Sequence, residues 1–207
     1  MSLTIESTVT WFRKFDEKIQ ANKNTLTDLD QSIGDGDHGI NMSRGLTEVI
    51  KTLEGKSFDT LGELSKAVAM TMIGKVGGAA GPLYGSAFLK MSIKMGTNIK
   101  LSDVELLDVL KEGEQAIIHR GKSSVGEKTM VDVWSPLLAE FAETSAINWE
   151  EFKTLAHKNM LATKELHAKK GRAAYLGERS VGHIDPGAMS SYLLFESLAE
   201  TMIEGGH

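Results

Sequence analysis

Apolar residues recur every three or four positions along almost the whole chain, a period that fits helices and leaves little room for sheet. Ile5, Val9, Phe12, Phe15 and Ile19 form one such stripe. Met42, Leu46, Val49, Ile50 and Leu53 form a second, and Leu61, Leu64, Val68 and Met72 a third. Each puts its apolar side chains on one face of a helix. Ser102 with Glu105 is a capping box, opening a helix through Val104, Leu107, Leu110 and Ile117 that Gly121 should end. Asn148 with Glu151 marks another start, running through Phe152, Leu155 and Leu161. Asp185-Pro186 supplies a cap and a first-turn proline before Met189, Leu193, Leu194 and Leu198. Hardly any segment alternates apolar and polar residues beyond four positions, so strands are not expected. An all-α fold of roughly seven to nine helices with short connectors follows.

The chain has 207 residues, enough for one fairly large domain or at most two small ones. It shows no repeat, low-complexity tract or linker, so residues 1–207 are read as a single domain. There is no cysteine, which excludes disulfide frameworks, thiolate metal sites and cysteine nucleophiles and fits a reducing cytoplasm. No apolar run reaches the roughly 18 residues of a membrane helix, and the N-terminus lacks a signal-peptide pattern, so no membrane partner is expected. The net charge is −5, with acids and bases interspersed, which sets nucleic acid aside as a partner. An anionic ligand must therefore be held by local features.

Glycines gather in four connectors, 34–45, 74–85, 121–126 and 171–187, where function is to be sought. The first contains "DQSIGDGDHGIN", with Asp30, Asp35 and Asp37 followed by His38. Carboxylates this close raise one another's pKa unless a cation neutralises them. A hard divalent cation on oxygen ligands is the economical explanation, and the ligand spacing of an EF-hand is missing. Magnesium needs few protein carboxylates, and two ions sharing the three aspartates is equally consistent. The plainer alternative is a solvated turn in which Asp35 or Asp37 caps the next helix. His38 is either a phosphate donor or an ordinary surface or core histidine. With a helix starting near Gly39, Asn41 points the same way as His38, and the first backbone N–H groups offer an anion site.

The second connector holds Gly77-Gly78-Ala79-Ala80-Gly81, which matches neither a Walker loop nor a dinucleotide fingerprint. It is either a turn between helices or a close approach to phosphate or ribose, with Ser86 as a further donor. In "GEKTMVD", Thr129 with Asp132 reads as a helix N-cap that can still touch a ligand. In "GRAAYLGERSVGHIDPGA", Arg172 and Arg179 can offset phosphate charge, and Asp185-Pro186-Gly187 presents backbone at a helix start. Lys169, Lys170 and Arg172 also fit an ordinary solvated face.

In this order, "DQSIGDGDHGINMSRG", "GKVGGAAGPLYGSAF", "GEKTMVDVWSPL" and "GRAAYLGERSVGHIDPGA" resemble the L-subunit family of dihydroxyacetone kinases, over essentially the whole chain. The resemblance implies an all-α closed barrel of antiparallel helices with the nucleotide pocket at one end. It implies that Asp30, Asp35 and Asp37 hold a pair of Mg2+ ions against a diphosphate. Around the nucleotide it places His38, Gly39, Ile40, Asn41, Gly78, Ala79, Gly121, Met130, Arg179, Asp185, Pro186 and Gly187, to which Ser86 and Thr129 are added from their own positions.

The chain starts at the first helix and carries no K-type domain, so it resembles the stand-alone, phosphotransferase-dependent members. There ADP is a retained cofactor, rephosphorylated to ATP by a phosphohistidine on an M subunit, and the phosphoryl group passes to dihydroxyacetone on a K subunit. A cytoplasmic protein, and a homodimer as the oligomer to test, complete the expectation. No residue is assigned as nucleophile, and His38 is read as positioning phosphate. Two other functions stand beside this one: a nucleotide-loaded regulatory module docking on a transcription regulator, and an ATP-using kinase subunit acting on another substrate.

Overall fold

The helices of the computed structural model, which describes residues 2–205, fall where the apolar period runs. In chain order they are α1 (Ile5–Ala21), α2 (Lys23–Ile33), α3 (His38–Glu54), α4 (Leu61–Lys75), α5 (Ala80–Met95), α6 (Asp103–Gly121), α7 (Val131–Glu140), α8 (Trp149–Ala162) and α9 (Pro186–Glu204). Short 3-10 segments follow α8 at Thr163–Glu165 and Arg172–Ser180. The starts marked in the sequence are capped as chemistry requires. Ser102 Oγ accepts the Glu105 N–H at 3.4 Å, and Glu105 accepts the Ser102 N–H at 2.8 Å. Asn148 Oδ1 accepts from Glu151, and Asp185 Oδ2 from Ala188.

Three features depart from expectation. A small antiparallel sheet pairs β1 (Ser2–Thr4) with β2 (Lys100–Ser102), Leu3 opposite Leu101. Three residues per strand are too few to show alternation, yet Leu3 and Leu101 both point into the core. Second, α2 was not anticipated: its buried face consists of Leu26, Asp30 and Ile33, so a carboxylate stands where a stripe would need an apolar residue. Asp30 is thus helical and not part of the loop. Third, α5 begins at Ala80, which places Gly81 and Gly85 inside a helix. Gly85 is there for packing, since a Cβ would lie 2.3 Å from Ile73 Cγ1 on α4.

Helix neighbours follow a circular order. α1 packs on α3, α3 on α4, α4 on α5, α5 on α6, α6 on α7, α7 on α8, α8 on α9, and α9 returns to α1. α2 rests against α3 and α9. One apolar core draws residues from Leu3 to Met202. Aromatic side chains join its sides: Trp134 meets Phe195 edge-on at 4.6 Å between centroids, and Phe195 meets Phe152 at 5.6 Å. Trp11 Nε1 donates to Leu194 O at 2.9 Å, tying α1 to α9 where the circle closes. Among the described residues, no helix is long and apolar enough to cross a membrane.

Candidate functional site

The connectors at one end of the helices enclose a cavity of about 580 Å³. Its wall is built from the α2–α3 loop, the α4–α5 turn with the start of α5, the α6–α7 connector, residues 170–173 and the start of α9. Small-molecule sites commonly span about 300–1,000 Å³.

Asp30, Asp35 and Asp37 bring one carboxylate oxygen each to within 4.8 Å of one another. Asp30, on the last turn of α2, organises the loop. Its Oδ2 accepts the backbone N–H groups of Asp37 at 2.8 Å and His38 at 3.0 Å, folding the chain back over the carboxylate. Gly34 makes this possible, since a Cβ there would lie 2.1 Å from Asp30 Oδ1. Asp35 meets Arg172. Asp37 precedes α3 but makes no side-chain cap, so its carboxylate is free for another partner and the capping alternative fails at this residue. Three oxygen donors with no nitrogen or sulfur among them suit a hard divalent cation of the magnesium type.

Behind the carboxylates lies a hydrogen-bonded floor. His38 Nε2 is 3.0 Å from Ser190 Oγ, which is 2.8 Å from Tyr84 OH. Tyr84 OH is 3.1 Å from Ser191 Oγ, and Trp134 Nε1 donates to that same oxygen at 3.0 Å. Helices α3, α5, α7 and α9 are thereby joined under the cavity. Burial pushes His38 down to about 4, with Asp30 and Asp37 pulling weakly the other way, so its ring is neutral near pH 7. Burial likewise pushes Tyr84 up to about 12.

On the far wall, Asp132 Oδ1 accepts the Gly126 N–H at 2.5 Å and Oδ2 the Thr129 N–H at 2.7 Å. The helix start is one residue later than expected: Met130, not Thr129, precedes α7, and Thr129 Oγ1 accepts from Val131 N–H at 3.1 Å. Asp185 caps α9, and burial raises its carboxyl to about 7 although the Ala188 N–H and Lys128 oppose the shift. Lys128 itself is 1% exposed and donates to the carbonyls of Thr163, Leu166 and His183.

Of the residues singled out in the sequence, Asp30, Asp35, Asp37, His38, Gly78, Ala79, Gly121, Thr129, Met130, Asp185, Pro186 and Gly187 line the cavity. Gly39, Ile40, Asn41, Ser86 and Arg179 do not. Gly39 packs against Lys23 O on α2, and Asn41 Oδ1 lies against Gly77 and accepts from Arg44. Ile40 and Arg179 face outward, and Ser86 sits farther along α5. Lys128, Tyr84, Ser190, Arg120 and Ser123 were missed. A lysine inside a glycine-flanked turn, "GEK", was the one local hint.

A family model described as DAK2 domain matches residues 32–200. The chain is 50% identical over 200 residues to the ADP-binding subunit of a PTS-dependent dihydroxyacetone kinase from Lactococcus lactis, covering 97% of this chain and 99% of that protein. It is 37% identical over 205 residues to the ADP-binding subunit of the PEP-dependent dihydroxyacetone kinase of Escherichia coli, covering 96% and 98%. The crystal structure of the dihydroxyacetone kinase from C. freundii in complex with AMP-PNP and Mg2+ superposes with a TM-score of 0.74 at 21% identity, over 93% of this chain. The chain spans only 33% of that larger protein, so the likeness is one of fold.

Proposed function

This chain belongs to the DAK2-domain family, and from that premise we propose that it is the nucleotide-binding subunit of a phosphotransferase-dependent dihydroxyacetone kinase. The observation that carries the reading is the trio of carboxylate oxygens within 4.8 Å of one another at a cavity of about 580 Å³. Relatives matched over nearly their full length and named as ADP-binding subunits support it.

Asp30, Asp35 and Asp37 hold magnesium, two ions in the full reading, and magnesium when bound neutralises phosphate oxygens. The chain's own residues do the rest. The backbone of Gly78 and Ala79 faces the phosphates, beside the start of α3, where Asp30 already takes the His38 N–H. Asp30 fixes that helix start through its two backbone acceptor bonds. Neutral His38, held by Ser190, places a dipole beside the phosphates without adding charge. Gly121, Thr129, Met130 and Asp185 to Gly187 enclose the remainder of the nucleotide, with Leu83 and Ile117 as apolar wall. Asn41 acts indirectly, packed against Gly77 and Gly78 of the α4–α5 turn, while Ile40, Ser86 and Arg179 receive no contact role. No nucleophile is required on this subunit, because the phosphoryl group moves between the nucleotide and groups on its partners.

The partners are a K subunit carrying dihydroxyacetone and an M subunit carrying the phosphohistidine, all cytoplasmic. Residues 1–207 form one domain, and the circular order of helix neighbours supports a closed barrel with the pocket at one end. The test is reconstitution. Purified chain, K subunit, dihydroxyacetone and phosphorylated M subunit are combined with catalytic ADP, and dihydroxyacetone phosphate is followed by 31P NMR. Product that depends on this chain is expected; its absence with both phosphorylated M subunit and ATP as donors would contradict the assignment and leave a regulatory module as the better description.

A further inference from the structure

Lys128 has no part in the binding roles assigned above, yet it is the most deeply buried cation near the site, at 1% exposure. Its ammonium donates to Thr163 O at 2.6 Å, to Leu166 O at 3.2 Å and to His183 O. An ammonium has three hydrogens, and here each meets a neutral carbonyl. Its backbone is held left-handed at φ +60°, which a side-chain-bearing residue adopts only where its surroundings over-determine it.

The carbonyls come from two separate segments. Thr163 and Leu166 belong to the turn after α8, and His183 precedes α9 by three positions. Lys128 adjoins the cavity residues Thr129 and Met130, and His183 stands two positions before Asp185 to Gly187, which also line the cavity. Two further bonds run between the same segments, Gly182 N–H to Lys164 O at 2.8 Å and Asp185 N–H to Thr163 Oγ1 at 3.1 Å, and Lys169 N–H to Glu127 O at 3.1 Å ties in the connector that carries Lys128. Removing the ammonium would strip a donor from each of the three carbonyls, leaving Thr163 O with only the Leu166 N–H at 3.2 Å.

We propose that Lys128 is a positioning residue: its ammonium serves as a built-in cation whose three carbonyl contacts lock two connectors into the far wall of the nucleotide cavity. The proposal rests on the nucleotide reading only for its consequence in binding. The lock itself can be read without ligand.

Lys128→Ala, Lys128→Met and wild type are compared by amide hydrogen exchange without ligand and by calorimetric titration with ADP and magnesium. Each titration is repeated with propylammonium, and with tetramethylammonium as a cation that cannot donate. Faster exchange at Gly182 and Asp185 is expected in both variants, with ADP affinity lowered roughly 10-fold or more. Propylammonium, entering the channel emptied in Lys128→Ala, should restore most of that affinity. Tetramethylammonium should not, and neither amine should rescue Lys128→Met, whose side chain still fills the channel. Wild-type exchange in both variants would overturn the proposal, and so would an affinity loss in Lys128→Ala that propylammonium leaves untouched. If Lys128→Ala fails to fold, exchange in Lys128→Met decides. If wild type binds no ADP, the nucleotide reading fails, and exchange still decides the lock.

Discussion

The guanidinium of Arg172 lies 2.8 Å from Asp35 Oδ2, so the segment after α8 reaches across the cavity mouth to one of the proposed metal carboxylates. A divalent cation must compete with Arg172 for Asp35. Exposed ion pairs contribute about 0.2–1 kcal/mol. Arg172→Gln should therefore tighten Mn2+ binding to nucleotide-free protein by a factor of about 2 to 5 at low salt, measured by calorimetry. The gain should shrink as salt rises. Equal or weaker binding in the variant would mean that the pair does not oppose the metal.

Gly34→Ala puts a methyl group 2.1 Å from Asp30 Oδ1. Since the backbone of Asp30 is fixed in α2, the carboxylate must turn and release the Asp37 and His38 N–H groups. We expect a loss of roughly 10-fold or more in magnesium-dependent ADP affinity, as for disturbed outer-shell groups of metal sites. The helical circular dichroism should survive. Affinity within twofold of wild type would show that the loop does not depend on this carboxylate.

Tyr84→Phe deletes one hydroxyl from the buried floor that joins Ser190 and Ser191. Leaving buried partners short of a bond costs about 1–3 kcal/mol. For a domain of this size each kcal/mol is about 2–4 °C, so calorimetry should show a melting temperature lower by about 2–12 °C. Full retention of the melting temperature would indicate that the two serines re-pair without it.

Burial raises the Asp185 carboxyl from its ordinary 3.8 to about 7. The folded chain thus keeps a proton that the unfolded chain gives up, and this contribution is present below about pH 3.8 and lost as pH climbs through about 7. Asp185→Asn keeps an N-cap and cannot ionise. Its unfolding free energy should fall less than that of wild type between pH 4 and 7.5, by on the order of 1–2 kcal/mol. Parallel pH profiles for the two proteins in urea titrations would rule the raised carboxyl out.

Which parts of this were visible in the chain follows from separation along it. Stripes such as Ile5–Ile19 and Leu61–Met72 reveal helices because each buries one apolar face. α2 escaped because one of its three buried residues is Asp30. The aspartates were legible since eight consecutive positions carry all three. The floor and the lock were not: His38 finds Ser190 at 152 positions, and Lys128 finds its carbonyls at 35, 38 and 55. Ser86 was added from its place beside a glycine-rich turn, but the turn is short and α5 has already carried that residue away from the cavity.

The central claim is that nucleotide binds through a cation held by Asp30, Asp35 and Asp37. Calorimetric titration of ADP into wild type, Asp35→Asn and Asp37→Asn, each with magnesium and with EDTA, tests it most directly. Tight binding by wild type in magnesium only, with both variants reduced to the weak EDTA level while their helical signal stays unchanged, is the predicted result. Wild-type affinity in both variants, or binding by wild type that EDTA leaves intact, would contradict it.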